Sequence, residues 1–490
     1  MTTGAVEDQD DIKALAKGGR TNIGGFFLRL LARIPFLFIA GQWYGAATLG
    51  RMAYAVLVVE FCAQLATLGL KRGLALHLAG DGERDGVWHA LFLVLAAAII
   101  PMILLMIFPQ IMFPNSGING LDGLIPLVIP AIALTDIMLA ALAFRYDVGA
   151  SVRARAVVEP WTISIGAFVL SWYSLRDGLL ISYAISMAAA FFTATVPFFK
   201  SFGRPRGVTL DSLGLYRLGR RNLPLAAADS IEFASRRLDL AILGLFVSPA
   251  TVGIYYVAQQ VASLPQKLKT SFDPILGPVI ARKLGEGDKP AVARQISQVG
   301  FWIIAAQAGI ALALGVPGEA IMGLVGPKGI FVGGNGALAF LLLAEVVAAV
   351  AVVSEAALVY IARYQNFLIS LAMIAVQIAL TFGLIIGARR LGFSELYQAA
   401  TPAIALATAL AIGSLVKSHL AARLLDAPVS VWRWPLVWAA LTMVVIGAIA
   451  VRAPQWAELA LGIPAMIAAY CAVIWKWGFG PEDRVLFRKT

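Results

Sequence analysis

Two arginines interrupt an apolar stretch near the amino terminus, FFLRLLARIPFLFIAG, at positions 26–41. Arg29 and Arg33 are four residues apart and therefore share one face of a helix. An arginine at the centre of a membrane-spanning helix costs at least ~2.5 kcal/mol, so neither side chain is expected to face lipid. We expect both to face a partner or a hydrated cavity, and their planar guanidinium groups suit phosphate oxygens. Pro35 removes a backbone hydrogen bond and is predicted to act as a hinge.

A second charged apolar stretch, LAAADSIEFASRRLDLAILG, occupies positions 225–244. It contains Arg236 and Arg237 as well as three acids, of which Glu232 is placed to pair with Arg236 one helical turn later. One interpretation is that the membrane arginines serve only as structural partners of acids such as Asp229, Glu232, Glu60 or Asp136. The interpretation we favour is a cationic cavity for an anionic substrate.

Several acids lie in apolar segments and are candidates either for H⁺ or Na⁺ coupling or for counter-ions to the arginines. The sequence does not separate these two roles. The candidates are Glu60, Asp136, Asp229, Glu232, Asp239, Glu345 and Glu355.

The composition identifies the class of protein that must position these charges. Hydrophobic residues make up 60% of the 490 residues, charged residues only 14%, and the mean hydropathy is +0.82. Soluble domains are closer to ~45–50% apolar and ~25% charged. Apolar runs without alternation exclude a β-barrel, so the sequence predicts an all-α polytopic membrane protein.

Hydropathy and breaks at Gly, Pro and charged residues predict about 14 transmembrane helices. The predicted spans are 22–42, 51–70, 88–108, 123–143, 157–173, 178–198, 223–246, 252–273, 299–316, 337–361, 367–387, 397–416, 434–451 and 457–475.

The distribution of Lys and Arg fixes the predicted orientation. With a cytoplasmic amino terminus, 29 of the 39 basic residues fall in inner segments and 6 in outer segments. This agrees with the positive-inside rule and places both termini in the cytoplasm. The net charge of +11 is therefore attributed to inner loops rather than to nucleic-acid binding.

The predicted domain organisation follows from this topology. A cytoplasmic tail (1–21) precedes an amino-terminal six-helix bundle (22–199), and a basic cytoplasmic linker (200–222) leads to a second six-helix bundle (223–417). Helices 13 and 14 (434–475) and a cytoplasmic tail (476–490) complete the chain. Aligning AATLG (46–50) with PATVG (249–253) without gaps matches Gly41 with Gly244 and Arg33 with Arg236. Chance similarity of Ala/Gly-rich segments is the alternative to an internal repeat.

No residues suggest catalysis or a metal. The two cysteines lie in apolar runs, the three histidines have no ligand spacing, and no outer loop carries a His or paired-acid motif. The polar, acidic amino terminus lacks a cleavable signal pattern. We therefore expect neither an enzyme nor a resident cofactor.

Two longer segments resemble a known family. YGAATLGRMAYAVLVVEFCAQLATLGLKRGL (44–74) resembles the first hairpin of Wzx-type O-antigen flippases of the MOP superfamily, and the segment from RRLDLAILG to ARKLGEGD (236–288) is similar to their seventh and eighth helices. The resemblance implies two six-helix bundles in a V-shaped, MATE-like arrangement with two carboxy-terminal helices. It implies alternating-access movement of polyprenyl-diphosphate-linked oligosaccharide from the cytoplasmic to the periplasmic leaflet of a bacterial inner membrane.

The resemblance also implies a binding site for the diphosphate. Arg29 and Arg33 match the first-helix arginines of related lipid flippases. The further candidates are Arg51, Arg236, Arg237, Lys267 and Lys269. The implied partners are the lipid-linked oligosaccharide, membrane lipids, and the polysaccharide polymerase and chain-length machinery.

Three alternatives stay open. A cation-coupled multidrug exporter of the same fold would carry more acids than arginines in its amino-terminal cavity. A flippase for the peptidoglycan precursor would share the diphosphate site. A membrane glycosyltransferase, polymerase or ligase would need a larger outer loop than the roughly twenty residues present here.

Overall fold

The computed structural model is all-helical throughout the residues that it describes, which are 31, 33–78, 83–205, 212–269, 280, 283–284, 286–480 and 483. A helix is present at each of the fourteen positions that hydropathy predicts. The prediction of an all-α polytopic membrane protein with about 14 spans is therefore confirmed. The chain divides into two compact units, Met1–Leu245 (unit 1) and Phe246–Thr490 (unit 2).

The described part of unit 1 contains seven long helices and one short one. α1 covers residues 33–44 and ends in the π-helical turn Ala40–Tyr44. α6 is continuous from Val148–Ser151 through the π-helix Val152–Val158 to Glu159–Leu170. The others are α2 (Gly45–Ala66), the short α3 (Leu70–Leu78), α4 (Glu83–Ile107), α5 (Val128–Phe144), α7 (Gly178–Phe202) and α8 (Ser212–Phe246).

The described part of unit 2 likewise contains seven long helices and one short one, of which the last two are α15 and α16. α16 is interrupted by π-turns and is built from Gln455–Ala457, Glu458–Gly462, Ile463–Val473 and Ile474–Gly478. The others are α9 (Pro249–Lys269), α10 (Lys289–Gly315), the short α11 (Gly318–Val325), α12 (Asn335–Ile361), α13 (Arg363–Arg390), α14 (Glu395–Leu425) and α15 (Pro435–Ala450).

Length and apolarity alone identify nine candidate spans among the described residues. The first of these, Arg33–Ala75, contains both α1 and α2, which turn into one another at Gly45 with φ of +79°. Four helices do not reach the strict criterion because they are short or carry charge: α6, α8, α9 and α15. These two corrections account for the difference between nine and fourteen.

The two units share one packing scheme, which supports the internal repeat. In unit 1, α2 packs on α4 and α5, α5 on α7, and α6 on α7. In unit 2, α9 packs on α10 and α12, α12 on α14, and α13 on α14. Thr48 donates to the carbonyl of Leu175 (3.3 Å) just before the last helix of its bundle, and the matching Thr251 donates to Glu395 (2.8 Å) at the start of α14. Each of the two matched threonines thus donates to a residue at or just before the start of the last helix of its bundle.

The helix at the proposed domain boundary differs from the prediction in its start. α8 begins at Ser212, inside the segment 200–222 that was expected to be a linker, and α7 extends to Phe202. At 35 residues and 1.5 Å per residue, α8 is about 50 Å long, more than the ~30 Å hydrocarbon layer. Its contacts within unit 1 include close packing of Gly69 against the backbone of Ala226. The boundary between the compact units follows α8, whereas the predicted second bundle begins with it.

The last two helices are fixed to α10 within unit 2. Tyr470 donates to the carbonyl of Ala305 (2.8 Å), and Gly309 admits its ring. Gly447 of α15 packs against Val316. Helices 13 and 14 of the prediction are therefore part of the packed core of unit 2.

Candidate functional site

A polar cavity of about 550 Å³ lies within unit 1. Ser151 and Tyr183 line it together with six ionic or amide side chains: Glu60, Gln64, Lys71, Asp136, Arg155 and Glu159. These six come from α2, α3, α5 and α6, and Phe233 of α8 contributes an aromatic ring. Three carboxylates and two cations line this cavity, and none of the arginines predicted to hold an anionic substrate is among its lining residues.

Asp136 is the centre of an ion-pair network in the cavity. Its Oδ2 lies 3.2 Å from Lys71 Nζ, and its Oδ1 accepts from Arg155 Nη2. Arg155 also donates from Nη1 to Glu159 (2.7 Å), one helical turn later. Because the Asp136 and Arg155 side chains are only 14% and 20% exposed, this network fixes α3, α5 and α6 to one another.

Glu60 differs from the other acids of the cavity. Within the part of the chain that the structure describes, it makes no hydrogen bond or salt bridge. The charges of Arg237, Glu159, Arg155 and Arg33 nevertheless act on it. Glu60 is therefore available to a ligand or proton, whereas Asp136 is already occupied as a counter-ion.

The predicted first-helix site is only partly described. Arg29 lies outside the described residues. Arg33 is half-buried in α1, and its charge reaches Glu60 of α2. Pro35 is exposed and precedes the π-helical turn Ala40–Tyr44 by about one helical turn. A π-turn is a recognised site of local bending in helices, so the geometry is compatible with the predicted hinge.

Three charged residues of α8, Asp229, Glu232 and Arg236, form ion pairs on the α3 side of the bundle. Arg72 Nε lies 2.9 Å from Asp229, and Arg72 Nη2 donates to Glu232. Glu232 also accepts from Arg236 (2.9 Å), which confirms the predicted i,i+4 pair. Asp239 is buried, and Arg237 is half-buried.

Arg51 has structural partners within unit 1. It is buried, donates to the fully buried Asp122, and lies 3.6 Å from Asp177. Its guanidinium also stacks over Phe113 at 4.7 Å. These contacts make Arg51 a cross-link between α2 and the segments that precede α5 and α7, and its assignment to the diphosphate site stays a prediction.

The predicted residues of unit 2 are scattered. Glu355 pairs with Lys417 (2.9 Å), whose ammonium is almost fully buried and also contacts Ser370 (3.0 Å). Glu345 is half-buried on the same helix, α12. The side chains of Lys267 and Lys269 lie outside the described residues.

Sequence analysis missed the basic members of the cavity. Lys71 and Arg155 were assigned to cytoplasmic loops because hydropathy ends a helix at its first charges. The available signal was Asp147, whose carboxylate accepts from Ala150 N (3.1 Å) and caps a helix that begins well before position 157. Arg155 and Glu159 then stand one turn apart inside that helix. Among the described residues, no group of His, Cys, Asp and Glu is placed to hold a metal.

Solved structures define the class to which this fold belongs. Similar structures include the lipid II flippase MurJ in an inward-closed conformation, at 14% identity and a TM-score of 0.71, over 96% of this chain and 99% of that chain. A MOP-superfamily transporter from Pyrococcus furiosus is similar at 12% identity and a TM-score of 0.58, over 84% and 96%. An outward-facing MATE multidrug transporter is similar at 13% identity and a TM-score of 0.56, over the same fractions.

These comparisons show that this chain shares the fold of these three solved structures. The similar structures are transporters and flippases, and the chain is a multi-pass membrane protein of their architecture. No family model matches the sequence, and no curated protein matches it.

Proposed function

We propose that this protein is a flippase that moves polyprenyl-diphosphate-linked oligosaccharide from the cytoplasmic to the periplasmic leaflet of a bacterial inner membrane for cell-surface polysaccharide synthesis. Arg29 and Arg33 hold the diphosphate in this proposal, and the prenyl chain stays in lipid. Arg236 and Arg237 are further candidates for contacts with the diphosphate in this proposal, as are Lys267 and Lys269. Alternating access transfers the head group, with H⁺ or Na⁺ coupling as an option and polymerase and chain-length proteins as downstream partners.

The observation that carries the proposal is the extent of similarity to a lipid flippase. MurJ aligns with 96% of the chain and the MATE-type structures with 84%. The difference, 12% of 490 residues, is about 59 residues, close to the 57 from position 434 to the end. This difference is about equal to the combined length of α15, α16 and the tail. Because the lipid flippase matches the chain over this extra length and the MATE-type structures do not, the architecture favours a lipid-linked substrate over a drug.

Leaflet accessibility of the lipid-linked glycan tests the proposal. Spheroplasts from depleted cells are probed with a membrane-impermeant sugar-cleaving enzyme. We expect lipid-linked glycan to accumulate and to be shielded from the enzyme. Wild-type protein should restore export, whereas Arg33→Ala and Arg29→Ala proteins present at equal levels should not. Accumulated glycan that is reachable from outside would instead assign the protein to a later polymerase or ligase step.

The acidic cavity specifically favours a second candidate, a cation-coupled multidrug exporter. Three carboxylates against two cations, with Glu60 unpaired within the described chain, is the balance expected for that class. Drug susceptibility of depleted cells separates the two functions. If depleted cells become more sensitive to drugs and do not accumulate lipid-linked glycan, the multidrug exporter replaces the flippase as the proposed function.

A peptidoglycan-precursor flippase is compatible with the same architecture, because MurJ is described as a lipid II flippase. Depletion distinguishes it from the surface-polysaccharide function. Lethality with a cell-wall defect favours the peptidoglycan precursor, whereas viable cells that lack surface glycan favour the proposal.

A further inference from the structure

The cavity of unit 1 has a lining that is unsuited to either end of the proposed substrate. Its three carboxylates exceed its two cations, so a diphosphate would meet net repulsion there. Its fixed charges would lose solvation against a prenyl chain. A ligand of this cavity must therefore be uncharged or weakly cationic, and rich in hydrogen-bonding groups.

We propose that this cavity binds a neutral pyranose ring of the lipid-linked glycan. This inference rests on the proposed function. It assigns the sugar and the diphosphate to different groups, with the sugar in the Glu60 cavity and the phosphate at the arginines.

The cavity lining offers both hydrogen-bond donors and acceptors, as hydroxyl recognition requires. Glu60 presents a carboxylate without a salt bridge among the described residues, and the amide of Gln64 offers both a donor and an acceptor one turn later. Lys71 adds an ammonium donor that Asp136 holds in place at 3.2 Å, whereas Arg155 is engaged by Asp136 and Glu159. Charge-assisted hydrogen bonds to hydroxyls are the stronger kind.

Phe233 supplies the apolar surface that one face of a pyranose ring requires. It lines the cavity from α8, and its ring is held by Phe61 at a centroid distance of 5.6 Å. The volume of about 550 Å³ lies within the range of sites for small organic ligands, ~300–1,000 Å³.

A lipophilic cation fits the cavity less well than a sugar does. Lys71 and Arg155 would lie beside the cation and repel it, and Asp136 and Glu159 are already paired with them. Cation recognition relies on aromatic faces, and Phe233 and Tyr183 both line this cavity, so the repulsion by Lys71 and Arg155 carries the distinction.

Saturation-transfer NMR on the full-length protein tests the inference. The protein is placed in nanodiscs without glycoside detergents, and the probes are methyl α-glucopyranoside, methyl N-acetylglucosaminide, methyl glucuronide and tetraphenylphosphonium. We expect signals from the two neutral glycosides and a weaker signal from the glucuronide. Glu60→Gln should weaken neutral-glycoside binding about tenfold, the value of a charged hydrogen bond. Phe233→Leu should weaken it as well.

Matched controls are Glu319→Gln, an exposed acid on α11, and Phe192→Leu, an exposed ring on α7 that does not line the cavity. Neither should change the signals. Monodispersity and thermal unfolding show whether each variant is folded. One folded cavity variant is enough to test whether the cavity binds the neutral glycosides.

Two results would overturn the inference: no neutral-glycoside signal from the wild type, or equal signals from the wild type and both cavity variants. Binding of tetraphenylphosphonium alone would assign the cavity to cations. The leaflet assay is independent of these readouts. Shielded glycan in depleted cells without glycoside binding would retain the flippase function and remove only the sugar site.

Discussion

Two carboxylates of one cavity, Asp136 and Glu60, have different roles because their partners differ. Asp136 lies between Lys71 and Arg155, whereas Glu60 is unpaired among the described residues. Breaking a buried ion pair from one side leaves charges uncompensated and costs ~3–5 kcal/mol. Removing the charge of Glu60 leaves no ion-pair partner behind in the described chain.

We therefore expect Asp136→Asn to lower the thermal unfolding temperature of the purified protein by several degrees, and Glu60→Gln to leave it nearly unchanged. The measurement is thermal unfolding in detergent at pH 7.5. Transport activity, divided by the amount of folded protein, should fall more for Glu60→Gln than for Asp136→Asn. Equal destabilisation by both substitutions would contradict this division of roles.

The sequence identified both acids and the helical pair of Glu232 with Arg236, but not the pairing of the cavity. Local spacing determines an i,i+4 contact, so that pair was predictable. The contact of Asp136 with Lys71 joins residues 65 positions apart and depends on how α3 packs against α5. Burial of Arg51 beside Asp122 likewise depends on tertiary contacts that spacing does not encode.

At the scale of elements, the end of α16 is anchored to its neighbours by one carboxylate. Asp483 is buried and accepts from Arg433 (2.6 Å), Trp302 (2.8 Å) and Gln298 (3.1 Å). Arg433 also stacks over Phe301 at 4.0 Å. These contacts attach the residue that follows α16 to α10 and to the segment before α15.

The pKa of Asp483 predicts how this anchor responds to acid. Burial acts to raise the pKa, but the hydrogen bonds from Arg433, the Gly480 backbone and Trp302 outweigh it and hold the pKa below its usual value. A carboxyl whose pKa is depressed in the folded protein stabilises the fold fully at pH values above its pKa in the unfolded chain, ~3.9. This stabilisation is lost as the pH falls through the pKa of the same carboxyl in the folded protein.

We expect Asp483→Asn to lower stability by a constant amount from pH 8 to about pH 5, and the difference from wild type to shrink below about pH 4. Thermal unfolding measured across this range checks the prediction. The exposed Asp426→Asn is the control and should have little effect. A difference that grows on acidification would contradict the assigned direction of the pKa shift.

Helix existence was predictable at this scale, and helix boundaries were not. All fourteen apolar runs form helices because burial of a run in lipid or protein requires its backbone bonds to close internally. α3 and α11 were missed because nine and eight residues are too short for a spanning window. The start of α8 at Ser212 was missed because charged residues beyond the membrane can continue a helix that hydropathy ends.

At the scale of the whole molecule, the fourteen-helix topology depends on the four helices that length and apolarity alone do not mark. α6 and α15 are the sharpest cases. α15 has only 16 residues, and α6 reaches spanning length only when its π-turn is included. If either helix failed to cross, every segment after it would change sides, and the inner excess of Lys and Arg would be lost.

The accessibility of single cysteines tests whether α6 and α15 cross the membrane. In a Cys62→Ala, Cys471→Ala background, single cysteines at Tyr146 and Tyr173 flank α6, and those at Ala427 and Ala453 flank α15. We expect a membrane-impermeant maleimide to label positions 173 and 453 in intact spheroplasts, and positions 146 and 427 only after permeabilisation. Labelling after permeabilisation also serves as the control that each thiol is reactive. Labelling of both members of a pair from outside would show that the helix between them does not span, and would remove the even count that places both termini in the cytoplasm.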